Sequence, residues 1–171
     1  YGLIDRALAE FKAARPRPKH LQVPIGLLEG AAPSAPAPLA APFPLASPSG
    51  EVGRVAQLLV EAERPLFIFG GGALHAAEAA RSVVQLCGAA SFTSYVGRGI
   101  IDPATDPLHF GAYLARPDTV RVIGKADLVI AVGTELAEVD LWRAQLGHLA
   151  TLVRVDIDAE ALSDPQRPDH S

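Results

Sequence analysis

The sequence predicts an α/β protein: a three-layer, Rossmann-like open parallel sheet with helices on both faces. Three observations carry this. Short runs such as Leu66 to Phe69 and Asp127 to Val132 are apolar almost throughout, as strands buried on both faces are. Segments with helical spacing stand between them, and strand–helix alternation implies parallel pairing through right-handed crossovers. The stretch Arg64-Pro65-Leu66-Phe67-Ile68-Phe69-Gly70-Gly71-Gly72-Ala73 shows one junction whole: an apolar strand, a glycine turn and an alanine-rich helical segment.

The elements follow in order. Tyr1 to Ala14 reads as an amphipathic helix with Leu3, Ile4, Ala7, Leu8 and Phe11 on one face. It has no N-cap before it, and the chain holds no methionine, so a start inside a longer protein is expected. A short strand is expected at Lys19 to Val23, stopped by Pro24. Residues 31–50 contain six prolines and seven alanines and read as an extended linker. Residues 51–162 form the main domain. Its first helix, Glu51 to Glu61, places Val52, Val55, Leu58 and Leu59 at core spacing, with Ser49 as N-cap. Leu66 to Phe69 is the first strand, and Leu74 to Leu86 a helix closed by Gly88. Ala89 to Thr93 is the second strand, and a loop rich in glycine and proline leads to a short helix at Asp118 to Lys125. Asp127 to Val132 is the third strand, Leu136 to Leu146 a helix, and Thr151 to Asp156 the fourth strand. Residues 163–171 are polar, contain two prolines and read as a mobile tail.

Composition narrows the function classes. The chain has 171 residues, is 49% apolar and carries a net charge of −4 without a basic patch, which argues against nucleic acid. No apolar run is long enough to span a bilayer, so no membrane partner is expected. The single cysteine, Cys87, excludes an internal disulfide and reads as a packed small hydrophobe, in keeping with a cytoplasmic location.

Ligands in open α/β sheets bind at the carboxyl ends of the strands. Those ends are Gly70-Gly71-Gly72, Ser94-Tyr95, Gly133-Thr134-Glu135 and Asp156 with Asp158. They make a candidate nucleotide cleft. A glycine turn at a helix N-terminus lets backbone N–H groups reach a phosphate. The same turn also serves plain strand–helix packing, and Asp158 also suits a helix cap. The dinucleotide fingerprint is incomplete: His75 holds the third glycine position, and the second strand ends in Thr93 and Ser94 where a ribose-binding acid belongs. An NAD site is therefore disfavoured, while an adenine nucleotide between the glycine turn and Asp156 stays open.

Other motifs say less. The histidines at 20, 75, 109, 148 and 170 share no metal-binding spacing. Glu135, Glu138 and Asp140 read as an acidic helix start, with a site as the alternative. Trp142 reads as core or interface. No Gly-x-Ser-x-Gly elbow or Walker lysine motif is present.

Taken in order, the segments Arg17 to Pro24, Ala62 to Gly72, Thr93 to Gly99, Ala126 to Gly133 and Val155 to Asp158 resemble the middle domain of thiamine-diphosphate-dependent enzymes. The group is that of acetolactate synthase, pyruvate oxidase and benzoylformate decarboxylase, whose middle domain has a DHS-like NAD/FAD-binding fold. The resemblance implies that residues 1–30 are the end of a preceding pyrimidine-binding domain. It also implies that a diphosphate-binding domain follows, and that thiamine diphosphate and magnesium belong to those two domains. This chain would then carry no catalytic residue and no metal ligand. The parent would be a homodimeric or homotetrameric lyase or synthase acting on 2-oxo acids. FAD-binding relatives have an arginine in the segment after Gly133, where Glu135 stands here. A methionine- and glycine-rich loop is replaced by Gly111 to Arg116. Both departures weigh against FAD and leave ADP open. The alternative class is a free-standing adenine-nucleotide (ADP/FAD) binding module. An NAD-dependent deacylase shares the fold, but its zinc cysteines and histidine motif are missing.

Overall fold

The computed structural model describes residues 1–37 and 46–171 and divides the chain into two compact units, Tyr1–Ala46 and Ser47–Ser171. The central part of the expected linker, residues 38–45, lies outside the described residues. In the first unit, helix α1 (Gly2–Ala13) buries none of its residues, and α2 (Ile25–Leu28) is a single turn. Lys19 forms an ion pair with Glu10, and the Tyr1 hydroxyl donates to the Pro33 carbonyl at 3.1 Å. The strand expected at Lys19 to Val23 is absent: that stretch is irregular. Pro16, Pro18 and Pro24 bracket it and remove donors, and no strand pairs with it among the described residues.

The second unit opens with α3 (Ser49–Glu61), whose Val55, Leu58 and Leu59 pack on the core while Val52 stays exposed. Pro48 takes the N-cap position, so Ser49 begins the helix rather than capping it. Strand β1 (Pro65–Phe69) runs into a 3-10 helix (Gly71–Ala76) and then α4 (Ala77–Cys87). Helix α4 ends at Gly88 with φ 58°, and Ala89 N–H donates to the Val84 carbonyl at 3.0 Å, a Schellman-type close. Strand β2 (Ala90–Thr93), α5 (Thr119–Ile123), β3 (Leu128–Val132), α6 (Glu138–Leu141), β4 (Thr151–Val155) and α7 (Ala159–Leu162) complete the order.

The sheet is parallel, in the order β2-β1-β3-β4. Side chains alternate across it. Leu66, Ile68, Phe92, Val129 and Leu152 join α5, α6 and their loops on one face. Phe67, Phe69, Leu128, Ile130 and Val153 join α3 and α4 on the other. Burying each such side chain contributes about 1.5–3 kcal/mol, which is why runs apolar on both faces settle as strands. Outside the sheet, β2 bonds to residues 108–111: Ser91 N–H donates to the Leu108 carbonyl and Thr93 N–H to the Gly111 carbonyl, both at 3.0 Å. Beyond β4, Leu152 N–H donates to Asp169 Oδ2 at 2.8 Å and Arg154 N–H to the His170 carbonyl at 3.0 Å. The segment expected to be a mobile tail is thus bonded along β4. Polarity alone hides this, because its polar groups are the ones that bond.

The helix expected over Leu136 to Leu146 shrinks to the four residues of α6. Leu136 and Trp142 take positive φ, 51° and 53°, and close it at both ends. Trp142 is 77% exposed, so of its two expected roles the core one is excluded. No helix among the described residues is long and apolar enough to cross a membrane.

Candidate functional site: the carboxyl edge of the sheet

Register brings the candidate residues together. Phe69 pairs with Thr93 on one side and Val132 on the other, and Val132 pairs with Val155. The four strands therefore end level, and the next residue of each, Gly70, Ser94, Gly133 and Asp156, begins one shared edge. The ladder continues a step further: Gly70 N–H donates to the Val132 carbonyl at 2.9 Å, Ser94 N–H to Phe69 at 2.9 Å and Gly133 N–H to Val155 at 2.8 Å.

The crevice between β1 and β3 is the switch point of the sheet, since the chain moves outward from it in both directions. There the glycines are spent on each other. Gly72 N–H donates to the Gly133 carbonyl at 3.0 Å. A Cβ on Gly70 would stand 2.3 Å from the Gly133 oxygen, and one on Gly97 2.4 Å from the Phe69 oxygen. Gly133 sits at φ 60°. The geometry of this turn performs close backbone packing. Gly71 is the exception: a Cβ there meets only the Val96 side chain.

The polar groups of the edge serve local structure. Ser94 Oγ accepts from Gly97 N–H, and Thr134 Oγ1 from Leu136 N–H, each at 3.2 Å. Asp156 Oδ1 accepts from Asp158 N–H, and Asp158 Oδ1 from Glu160 N–H, each at 3.0 Å. Asp158 thereby caps α7. Tyr95 N–H donates to Asp140 Oδ1 at 3.1 Å. Glu135 contributes its backbone carbonyl as an acceptor for Arg154.

A residue outside the predicted cleft organises this edge. Arg154 lies on β4 and is 1% exposed. Its Nη1 donates to Asp164 Oδ1 at 2.8 Å and to the Gln166 carbonyl at 3.1 Å. Its Nη2 donates to the Thr134 and Glu135 carbonyls at 3.2 and 3.3 Å. Gln166, also buried, accepts from Leu146 N–H through Oε1 at 3.0 Å and donates from Nε2 to the Ala144 carbonyl. An arginine inside an otherwise apolar strand is the signal that marks the first; nothing in the sequence marks the second.

Cofactor fit can be tested on these donors. Magnesium with a diphosphate requires several oxygen ligands around one point, and no three His, Cys, Asp or Glu side chains among the described residues converge on one. A nucleotide pyrophosphate requires free N–H groups at the switch point, and those of Gly70 and Gly72 are already bonded. The edge does not fit magnesium, and at the switch point it leaves Gly71 as the glycine of the turn whose N–H makes no such bond.

A parallel sheet of order 2-1-3-4, layered by helices, places the chain in the Rossmann-like class. The family described as "Thiamine pyrophosphate enzyme, central domain" matches residues 52–171, and the chain belongs to it. The chain is 42% identical over 166 residues to the probable 2-ketoarginine decarboxylase AruI of Pseudomonas aeruginosa, an alignment covering 95% of this chain and 29% of that protein. It is 28% identical to the probable chloroplastic acetolactate synthase 2 of Oryza sativa subsp. japonica, over 97% of this chain and 26% of the relative. It is 30% identical to the sulfoacetaldehyde acetyltransferase of Castellaniella defragrans, over 63% of this chain and 19% of the relative. The chain thus spans less than three-tenths of the length of these curated relatives.

Proposed function

We propose that this chain is the central, structural domain of a thiamine-diphosphate-dependent enzyme that decarboxylates a 2-oxo acid, and that it is not catalytic by itself. The observation that carries this is the 42% identity sustained over 95% of the chain with the probable 2-ketoarginine decarboxylase AruI. That identity favours a lyase over the acetolactate-forming synthase reading, which rests on relatives 28% and 30% identical. Thiamine diphosphate and magnesium then sit in partner domains, one binding the pyrimidine and one the diphosphate. The cofactor supplies the carbanion chemistry. The parent is a cytoplasmic homodimer or homotetramer. The central domain's part is to hold the catalytic domains in place, and its Gly70–Gly72, Ser94–Tyr95, Gly133–Glu135 and Asp156–Asp158 edge is a former nucleotide cleft now used for packing.

The test is carbon dioxide release by the complete gene product with thiamine diphosphate and magnesium, comparing 2-ketoarginine with pyruvate. Turnover of 2-ketoarginine is expected, with residues 1–171 alone showing neither turnover nor saturable thiamine diphosphate binding. Thiamine-independent turnover, or micromolar thiamine diphosphate binding by residues 1–171, would overturn the assignment.

A further inference from the structure

The segment between β3 and β4 is held from outside itself. Past α6, residues 143–149 send no backbone N–H to a backbone carbonyl among the described residues. Leu136 and Trp142 stand at positive φ. Backbone of this kind persists only where its surroundings fix it. Leu136, Leu141 and Leu146 anchor the segment in the core. Arg143 ties it internally and to the preceding loop, Nη2 donating to the Leu146 carbonyl and Nη1 to those of Leu114 and Leu141.

The rest of the fixing comes from residues 164–170. Gln166 is 5% exposed and grips the segment twice, at Leu146 N–H and at the Ala144 carbonyl. The Arg154 guanidinium joins Asp164 Oδ1 and the Gln166 carbonyl on one side to the Thr134 and Glu135 carbonyls on the other. Residues 164–170 are polar apart from two prolines, and none of them belongs to either apolar cluster of the core. They dock on β4 through bonds alone: Asp169 and His170 N–H donate to the Leu152 carbonyl, and Arg154 N–H to that of His170. A segment docked without apolar burial can lift while the sheet stays folded.

We propose that residues 164–170 are a strap whose docking on β4 sets the conformation of residues 134–146. With the strap down, the left-handed turns at Leu136 and Trp142 are clamped between the leucine anchors and the bonds from Gln166 and Arg154. With the strap lifted, Leu146 N–H and the Ala144 carbonyl lose Gln166, and Arg154 stays buried without its carboxylate. The segment then relaxes from its left-handed turns. Because the two events share one equilibrium, the coupling runs both ways: loosening residues 134–146 must also loosen the strap.

Hydrogen–deuterium exchange on the 171-residue chain tests this, read by mass spectrometry. Gln166→Ala should speed exchange about tenfold within residues 134–146, the effect of losing one or two hydrogen bonds, while the β3 amides of Val129 to Ala131 keep their protection. Arg143→Met lies outside the strap and keeps an apolar stem. It should speed exchange at Asp169 and His170 in the same way. Acceleration confined to the strap in Gln166→Ala would overturn the proposal, as would unchanged exchange at Asp169 and His170 in an Arg143→Met chain whose residues 134–146 have loosened. Acceleration shared equally by β3 would overturn it too, since the strap would then be part of the core and not a separately opening element.

Discussion

Gly72 and Gly133 are bonded backbone to backbone, N–H to carbonyl at 3.0 Å, and a Cβ on Gly72 would lie 2.8 Å from the Gly133 Cα. This contact joins the two strands on either side of the switch point. Gly133 adds a positive φ of 60°, so a side chain there meets both strain and neighbouring backbone. Gly133→Ala should lower stability by at least about 2 kcal/mol, and Gly72→Ala should act in the same direction. Gly53, inside α3 with nothing within 4 Å of its Cβ position, is the contrast. Gly53→Ala should raise stability by about 0.5–1 kcal/mol. Urea unfolding midpoints decide between these; a neutral Gly133→Ala would refute the packing role of the joint.

The same bonds bear on nucleotides. With the N–H groups of Gly70 and Gly72 already bonded, a pyrophosphate finds few donors at the crevice. The protein should purify colourless, and calorimetric titration should show no saturable binding of FAD or ADP. A flavin absorbance band in fresh protein, or micromolar ADP binding, would show that Gly71 or another edge group still receives phosphate.

Arg154 gives a second stability test. Truncating it to Ala strips donors from the carbonyls of Thr134, Glu135 and Gln166 and removes the partner of Asp164. A loss of about 3 kcal/mol is expected, the range found when one member of a buried charged network is removed. Arg154→Lys should recover little of it, because an ammonium cannot reach both sides as the planar fork does. Full recovery by lysine, read from thermal unfolding, would argue that charge alone matters.

Protonation of His109 should weaken the fold. Burial pushes its imidazole below the ordinary histidine value, against the opposing effects of its bond to Ser91 and the nearby Asp106 carboxylate. A depressed value means that the folded state prefers neutral His109. Its contribution is complete above about 6.5, the unperturbed value, and is lost as pH falls from there through the folded value. Unfolding midpoints measured between pH 7.5 and 5.5 should fall, and His109→Gln should flatten that part of the curve. An identical slope in the variant would assign the effect to other groups.

The parallel sheet is readable in the sequence because strands buried on both faces leave unbroken apolar runs such as Leu66 to Phe69. The glycine edge is readable as a place but not as a use: Gly70 to Gly72 carry the same letters whether they cradle a phosphate or another backbone. The 2.3 Å approach at Gly70 and the bonded N–H groups of Gly70 and Gly72 show the packing use, which the letters alone do not. Helical spacing over Leu136 to Leu146 misleads because tertiary packing outweighs weak helix propensity. Leu136, Leu141 and Leu146 are all buried, but reach the core from a chain turned left-handed at Leu136 and Trp142. Gln166 is invisible beforehand, since its role consists of bonds to the backbone of Ala144 and Leu146, some twenty positions away.

The bonding of Asp169 along β4 bears on solubility. An outer strand with open donors is a template for any passing strand, and natural sheets guard against this with charges and short covering segments. Here the Leu152 donor is occupied by a carboxylate, so an intruding strand must displace and desolvate a charge before it can pair. The cover is short, Asp169 and His170 bonded to β4, so it opens by local fluctuation at lower free energy than the sheet itself. The species most prone to self-association is therefore a folded domain with residues 169–170 peeled from β4. Light scattering on warming should rise before the sheet's circular-dichroism signal falls.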